Sequence, residues 1–381
     1  MRPFHFKVPQ TIEFGMGSLK KLSEILNENH SDKVFLISDC GIAQVGLVDR
    51  VTSILEEHKI PYSTFVEVRP NPTIEVVENA FLQFKESDAS SLIALGGGGP
   101  LDVAKAIGIL ASHGGDIRSY EGLNKVPGPI IPLIAIPTTA GTGSEVTASS
   151  VVTDTERNYK FSIISYEILP RYAILDPELI MTAPASIAAS CGVDALIHAM
   201  EAYVSRFANP YTDAMAEKAM SLIGRHIRHF VADRTDEDAA CAMMLGSTFA
   251  GMSFAWAKLG AIHSMSHPIS AYFHVPHGVA NAALMPTIAA FNAIADMGKY
   301  KKIYQYIFPQ EEMLDFRSSD LSVALFDLNE EIGLPTSLKP LGVTKDKFEA
   351  MSEDAMKSPN TLANPRQLSK KDFISLYEKA Y

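Results

Sequence analysis

Two hydrophobic textures divide the chain. Up to about residue 180, short β-rich runs (Val34 to Ser38, Tyr62 to Val66, Ser91 to Leu95, Ile130 to Ile136 and Tyr172 to Leu175) alternate with helix-like stretches such as Leu19 to Asn27 and Ile74 to Glu86. That alternation predicts an open, mostly parallel α/β sheet. After Pro184 the pattern changes to long Ala-, Met- and Leu-rich stretches with 3.6-residue spacing: Ser186 to Ser205, Pro210 to Phe230 and Glu237 to Met252. These predict an all-α second half. Pro177 and Pro184 punctuate the change, so the expected domains are 1–180 and 181–381. There is no internal repeat or low-complexity segment.

With 381 residues, 47% of them hydrophobic and 20% charged, the chain can bury a large core but exceeds the usual single domain. Its formal net charge of -11 comes from scattered residues, with no Lys or Arg run to follow a phosphate backbone, so no nucleic-acid partner is expected. Stretches such as Ile130 to Ile136 fall far short of the roughly 20 apolar residues that cross a bilayer. The opening MRPFHFKVPQTIEFG has no apolar core after its charges. The expectation is a cytoplasmic protein without a membrane partner. Cys40, Cys191 and Cys241 form no CxxC pair and read as reduced packing residues.

The run SLIALGGGGPLDVAKAIG puts Gly96 to Gly99 between an apolar strand and a helix opening at Pro100. Glycines let a ligand approach the backbone, and the N–H groups of a helix start favour an anion, so a pyrophosphate fits. The spacing is not GxGxxG, and a tight connection has the same appearance. Asp39 ends the strand VFLIS, where a carboxylate can accept from a ribose diol and repel a 2′-phosphate, which points to NAD; a helix N-cap is the alternative. The loop IPTTAGTGSEVT adds Thr138, Thr139 and Thr142 as neutral donors, or is an ordinary polar loop.

Asp194 and His198 lie four residues apart on one helix face. Downstream, AIHSMSHPISAYFHVPHG supplies His263, His267, His274 and His277 within fifteen residues, four of the eleven histidines in the chain. A single histidine on an apolar helix is usually a packing residue; the cluster favours a divalent metal. One carboxylate with imidazoles suits Fe²⁺ or Zn²⁺ equally, and without thiolates nothing selects zinc.

The chain resembles the iron-containing (group III) alcohol dehydrogenase family over essentially its full length. The resemblance is carried by PNPT (70–73), GGGGPLDVAK (96–105), PTTAGTGSE (137–145), DPEL (176–179), GVDALIHAMEAYVS (192–205), HSMSHPISAYFHVPHGVANA (263–282) and NPR (364–366). It implies an N-terminal α/β nucleotide-binding domain and an all-α C-terminal domain, the dehydroquinate synthase-like architecture, enclosing a cleft that holds the metal. It implies Asp194, His198, His263 and His277 as metal ligands and His267 as a proton-relaying active-site histidine. His274 carries no implied role. For NAD(H) it implies Asp39 at the adenosine ribose, Gly97 and Gly98 at the pyrophosphate, Asn71, Thr138, Thr139 and Thr142 at the phosphates and nicotinamide, and Lys160 on the nicotinamide ribose side.

The sequence departs from the family's commoner pattern at Gly99, where a Ser usually follows three glycines. It also departs at Trp256 and Lys258, in a stretch that often reads FNNAGLG, and at Asn360, where a Cys is frequent. With Ser149 and Phe254, the last three are the substrate-side candidates. The implied reaction interconverts a small primary alcohol and its aldehyde, with the metal as Lewis acid. Lys258, Trp256 and Asn360 would also suit a short anionic aldehyde such as sulfoacetaldehyde. A non-redox lyase or hydrolase using the same Asp and His cluster is the rival of another class. A homo-oligomer is expected.

Overall fold

The computed structural model of the chain describes residues 10–157, 159–310 and 315–381. Its strands are β1 (Thr11–Phe14), β2 (Val34–Asp39), β3 (Tyr62–Val68), β4 (Ser91–Gly96), β5 (Gly122–Leu123), β6 (Leu133–Pro137), β7 (Ser149–Asp154), β8 (Tyr159–Ile164) and β9 (Tyr172–Leu175). Helices α1 (Leu22–Glu28), α2 (Cys40–Gln44), α3 (Leu47–Glu57), α4 (Ile74–Ser87) and α5 (Gly98–His113) are interleaved with them.

Six strands form one parallel sheet in the order β1-β9-β6-β4-β2-β3. Its strands are continuous apolar runs because helices cover both faces. Phe35 and Ile37 of β2 pack on one side with residues of α4 and α5. Val34 and Leu36, pointing the other way, pack with α1 and α3. A second sheet, β5-β8-β7, was not anticipated; β7 and β8 pair antiparallel and alternate in burial, as a half-covered hairpin should.

Three predicted elements shift. The first helix begins as a 3-10 turn, Ser18–Lys21, before α1. The strand expected from Ile130 starts only at Leu133, because the N–H groups of Ile130 and Ile131 go to Glu167 O and Ser112 Oγ. Helix α5 opens at Gly98, two residues before Pro100.

The second half folds as α6 (Ala185–Val204), α7 (Pro210–Ala232), α8 (Glu237–Ala257), α9 (Ala261–Phe273), α10 (His277–Asn292), α11 (Lys299–Ile307), α12 (Asp320–Glu331), α13 (Phe348–Lys357) and α14 (Lys370–Lys379). One compact unit runs to Thr139 and resumes over Gly143–Thr182; the other combines Ala140–Thr142 with Ala183–Tyr381.

Two expectations need correction. Three helical stretches, Ala185–Val204, Glu237–Ala257 and His277–Ala295, are long and apolar enough to cross a membrane, so the short runs of the first half were not the limiting case. Their apolar windows are 83%, 67% and 56% buried inside the protein, and interior packing accounts for that character. Cys40 is exposed rather than packed, whereas Cys191 and Cys241 are half-buried; all three are free thiols.

Candidate active site

In the α/β unit the glycine turn joins β4 directly to α5. Gly96 has φ 149°, and a Cβ there would stand 2.6 Å from Pro100 Cγ, so only glycine fits. Gly97, the N-cap of α5, has no capping side chain, leaving first-turn N–H groups of a 16-residue helix as anion donors. Asp39 belongs to both readings offered for it. Its Oδ1 caps α2 by accepting from the Ile42 N–H at 3.0 Å, while its Oδ2 lies 3.4 Å from where a Gly96 Cβ would be. The ribose candidate and the pyrophosphate candidate are thus neighbours on adjacent strands.

Thr138 donates its N–H to Gly96 O, and its buried Oγ1 has no hydrogen-bond partner among the described residues, an orphan that a ligand could satisfy. Thr139 Oγ1 faces Gly97. Asn71, at φ 56°, accepts from Lys160 Nζ at 2.8 Å, which brings two further candidates together. Thr142 lies in the three-residue segment grouped with the helices.

Beneath this surface the fully buried Lys105 donates to Ser144 O, Ser144 Oγ and Ser149 O at 2.7, 2.9 and 2.8 Å. Ser144 Oγ in turn donates to Asp102 Oδ1. Burial pushes Asp102 up to about 6, against the pull of Lys105, and pushes Lys105 down to about 8. Ser149, a substrate-side candidate, therefore has its carbonyl committed to Lys105.

In the helical unit α6 carries Asp194 and His198, α9 carries His263 and His267, and α10 opens with His277. The Nε2 atoms of His198, His263 and His277 lie 3.7, 3.6 and 3.9 Å from Asp194 Oδ1. The ligand atoms of Asp194, His263 and His277 all fall within 4.8 Å of one another. Two N or O ligands about 2.1 Å from one tetrahedral ion stand roughly 3.4 Å apart, so the donor set and spacing fit a divalent cation.

The electrostatics agree. Burial opposes ionisation of Asp194, but His198, His277 and the hydrogen bond to His263 hold its carboxyl below the usual carboxylate range. Burial pushes His198 down to about 4, which leaves its imidazole neutral at neutral pH. His263 rises to about 9 despite burial, because Asp194 and Glu201 both favour its cation. A centre this rich in acceptors calls for a positive charge, from a proton or a metal.

Two residues here were missed by sequence reasoning. Glu201 accepts from His263 Nδ1 at 2.7 Å. Asn281 Nδ2 lies 2.6 Å from Asp194 Oδ1, 3.2 Å from His263 Nε2 and 3.1 Å from His277 Nε2. The available signal was spacing: Glu201 is one more helical step along the Asp194 and His198 face, and Asn281 is one turn after His277. His198 Nδ1 meets Gly141 O at 3.2 Å.

Among the remaining candidates, His267 is exposed on α9, with its ring 5.1 Å from that of His277. His274 is exposed, caps α9 at φ 55° and lies outside the cluster. The Phe254 ring packs 4.4 Å from that of His198. Trp256 is half-buried, and Asn360 sits in a 3-10 turn, Pro359–Leu362, tied to α9 through Thr361 and Ser264.

Residues 9–177 match the model of iron-containing alcohol dehydrogenases, and residues 188–381 match the C-terminal region of the same family. The chain belongs to the iron-containing alcohol dehydrogenase family. It is therefore an oxidoreductase of the alcohol dehydrogenase and aldehyde reductase class. It is 37% identical to the lactaldehyde reductase of Escherichia coli (strain K12) over 376 residues, 98% of each protein. The solved structure of a 1,3-propanediol oxidoreductase superposes with a TM-score of 0.96 at 37% identity, covering 100% of both chains. That of sulfoacetaldehyde reductase from Bifidobacterium kashiwanohense in complex with NAD+ superposes with a TM-score of 0.90 at 28% identity, covering 100% of this chain and 99% of the other.

Proposed function

We propose that this member of the family interconverts a small primary alcohol and its aldehyde, with NAD(H) as hydride carrier and one divalent ion, Fe²⁺ or Zn²⁺. The observation carrying this reading is the convergence of three imidazole Nε2 atoms on Asp194 Oδ1. Asp194, His198, His263 and His277 hold the ion. Asp39, Asn71, Gly97, Gly98, Thr138, Thr139, Thr142 and Lys160 hold the dinucleotide, and the Asp39 carboxylate selects a free ribose diol over a 2′-phosphate.

When bound, the ion supplies Lewis-acid stabilisation of charge on the substrate oxygen and the nicotinamide supplies the hydride. The chain's own groups do the rest. Asp194 stays ionised and His198 neutral, so both present lone pairs without first losing a proton. His267 carries the proton between that oxygen and solvent, a role suited to an exposed imidazole. Phe254, packed on His198, walls the substrate side.

The test is NADH oxidation by a panel of neutral and anionic short aldehydes, using apo protein reconstituted separately with Fe²⁺ and Zn²⁺. Metal-dependent turnover is the expected result. No turnover with either metal would hand the Asp and His set to a non-redox lyase or hydrolase.

A second reading, a short anionic aldehyde such as sulfoacetaldehyde, is favoured by Lys258. This residue adopts φ 63° and ψ 176°, a conformation that costs a non-glycine residue of order 1–3 kcal/mol, one turn after Phe254. Its ammonium lies 4.9 Å from the centroid of the Phe207 ring, and with Trp256 and Asn360, the other departures from the family pattern, it is the candidate to meet an acid end group. Equal, unchanged kinetics of Lys258→Ala with charged and neutral aldehydes would discard it.

We further propose a cytoplasmic homo-oligomer without nucleic-acid or membrane partners. A net charge of -11 disfavours polyanions, and exposed apolar side chains such as Ile294, Met297 and Val323 suit self-association.

A further inference from the structure

We infer that Glu201 is a positioning residue for the metal: it fixes the tautomer and orientation of His263. The inference rests on the reading of Asp194, His198, His263 and His277 as ligands. Glu201 shares α6 with Asp194 and His198 and is 5% exposed. Its Oε2 accepts from the Gly260 N–H at 2.9 Å and from His263 Nδ1 at 2.7 Å, and its Oε1 accepts from the Ile262 N–H at 2.7 Å.

Three donors on two oxygens leave only one role for His263 Nδ1. It must carry the ring proton, because a carboxylate accepts and does not donate. In the neutral ring that a metal ligand requires, Nε2 then keeps its lone pair, and it is Nε2 that lies 3.6 Å from Asp194 Oδ1. The same carboxylate stands in for the cap that α9 lacks, since Gly260 at its N-cap has no side chain. A Cβ at Gly260 would approach Glu201 Oε1 to 2.9 Å, so the glycine is what lets the carboxylate this close. One residue of α6, joined by Asn364 Oδ1 at the Ala261 N–H, therefore helps set where α9 begins and sets which nitrogen of His263 faces the ion, the arrangement by which outer carboxylates orient metal-bound imidazoles.

Glu201→Gln replaces one accepting oxygen with an NH₂ group. Turned toward His263, that group forces the ring proton onto Nε2 and removes the ligand. Turned the other way, it opposes the Ile262 N–H. Zn²⁺ affinity, measured by competition with a chromogenic chelator, is expected to fall about 10–100-fold.

The decisive measurement is a cycle with His263→Ala. If Glu201 acts through His263, adding Glu201→Gln to His263→Ala weakens Zn²⁺ binding by less than about twofold. An equal loss in both backgrounds, or wild-type affinity in Glu201→Gln alone, overturns the inference. Should Glu201→Gln not fold, the ¹⁵N-histidine spectrum of the Zn²⁺-loaded wild-type protein still decides. A proton on Nδ1 and metal on Nε2 of His263 is expected, and the reverse refutes the assignment. Failure of the wild-type protein to bind Zn²⁺ at all would instead sink the ligand set itself.

Discussion

Around Gly96 the α/β unit offers main-chain N–H groups and the carboxylate of Asp39, whereas around Asp194 the helical unit offers three imidazole nitrogens at 3.6 to 3.9 Å from one carboxylate oxygen. The first site is made of backbone shape, the second of side-chain identity. The two should therefore fail differently. A backbone site tolerates most side-chain changes but not a Cβ where none fits, while a site of four converging side chains has no redundancy.

The largest expected effect tests the lack of redundancy. Asp194→Ala leaves three imidazoles without their shared anion, and metal-dependent aldehyde reduction should drop by about 1,000-fold or more, with metal content falling in parallel. Residual activity within tenfold of wild type would break the comparison. Next is the support beneath the backbone site. Lys105→Met strands Asp102 without its cation and should cost about 3–5 kcal/mol, read by denaturant or thermal unfolding of the apo protein.

Gly96→Ala asks whether shape alone carries dinucleotide binding. The added Cβ collides with Pro100, and the strain of roughly 1–3 kcal/mol should appear as a rise of about 5- to 150-fold in the KM for NADH. Asp39→Ala should raise that KM less, by about tenfold at most, while narrowing the gap between NADH and NADPH; an unchanged cofactor preference would return Asp39 to the N-cap role alone.

The smallest effect is a pH dependence confined to the α/β unit. Burial works against ionisation of Asp154, but hydrogen bonds from Arg118 and Arg157 hold it below the ordinary carboxylate range. A depressed folded-state value stabilises above the unfolded carboxylate pKa, near 3.9, and that contribution is lost as pH falls through and below it. Melting temperature should therefore decline on acidification less steeply in Asp154→Asn than in wild type.

The same contrast explains what could be read from the sequence. The parallel strands were legible because burial on both faces turns each into an uninterrupted apolar run, as in Val34 to Ile37. The β7 and β8 hairpin was not, since its half-buried alternation, as in Ser149–Asp154, looks like polar loop. At the candidate metal site, identity and spacing pointed to Asp194 and the histidines. Glu201 escaped because its partners come from α9 and the residue before it, and no spacing along one helix reveals which carboxylate will meet His263 Nδ1; Asn281 lies one turn after His277, but its contacts with Asp194 and His263 come from other helices. Cys40 shows the converse: composition marks a cysteine as a packing residue, but its place after Asp39 at the end of β2 leaves it exposed.

The excursion of Ala140–Thr142 into the helical unit matters for recombination. Gly141 sits against Cys191, where an added Cβ would approach to 2.8 Å, and its carbonyl is the one that His198 Nδ1 meets. A chimera made with a single crossover near residue 182 would inherit helices from one parent and this tripeptide from the other. Two crossovers flanking residues 140–142, in addition to the one at 182, keep a parent's His198 with the carbonyl it evolved beside.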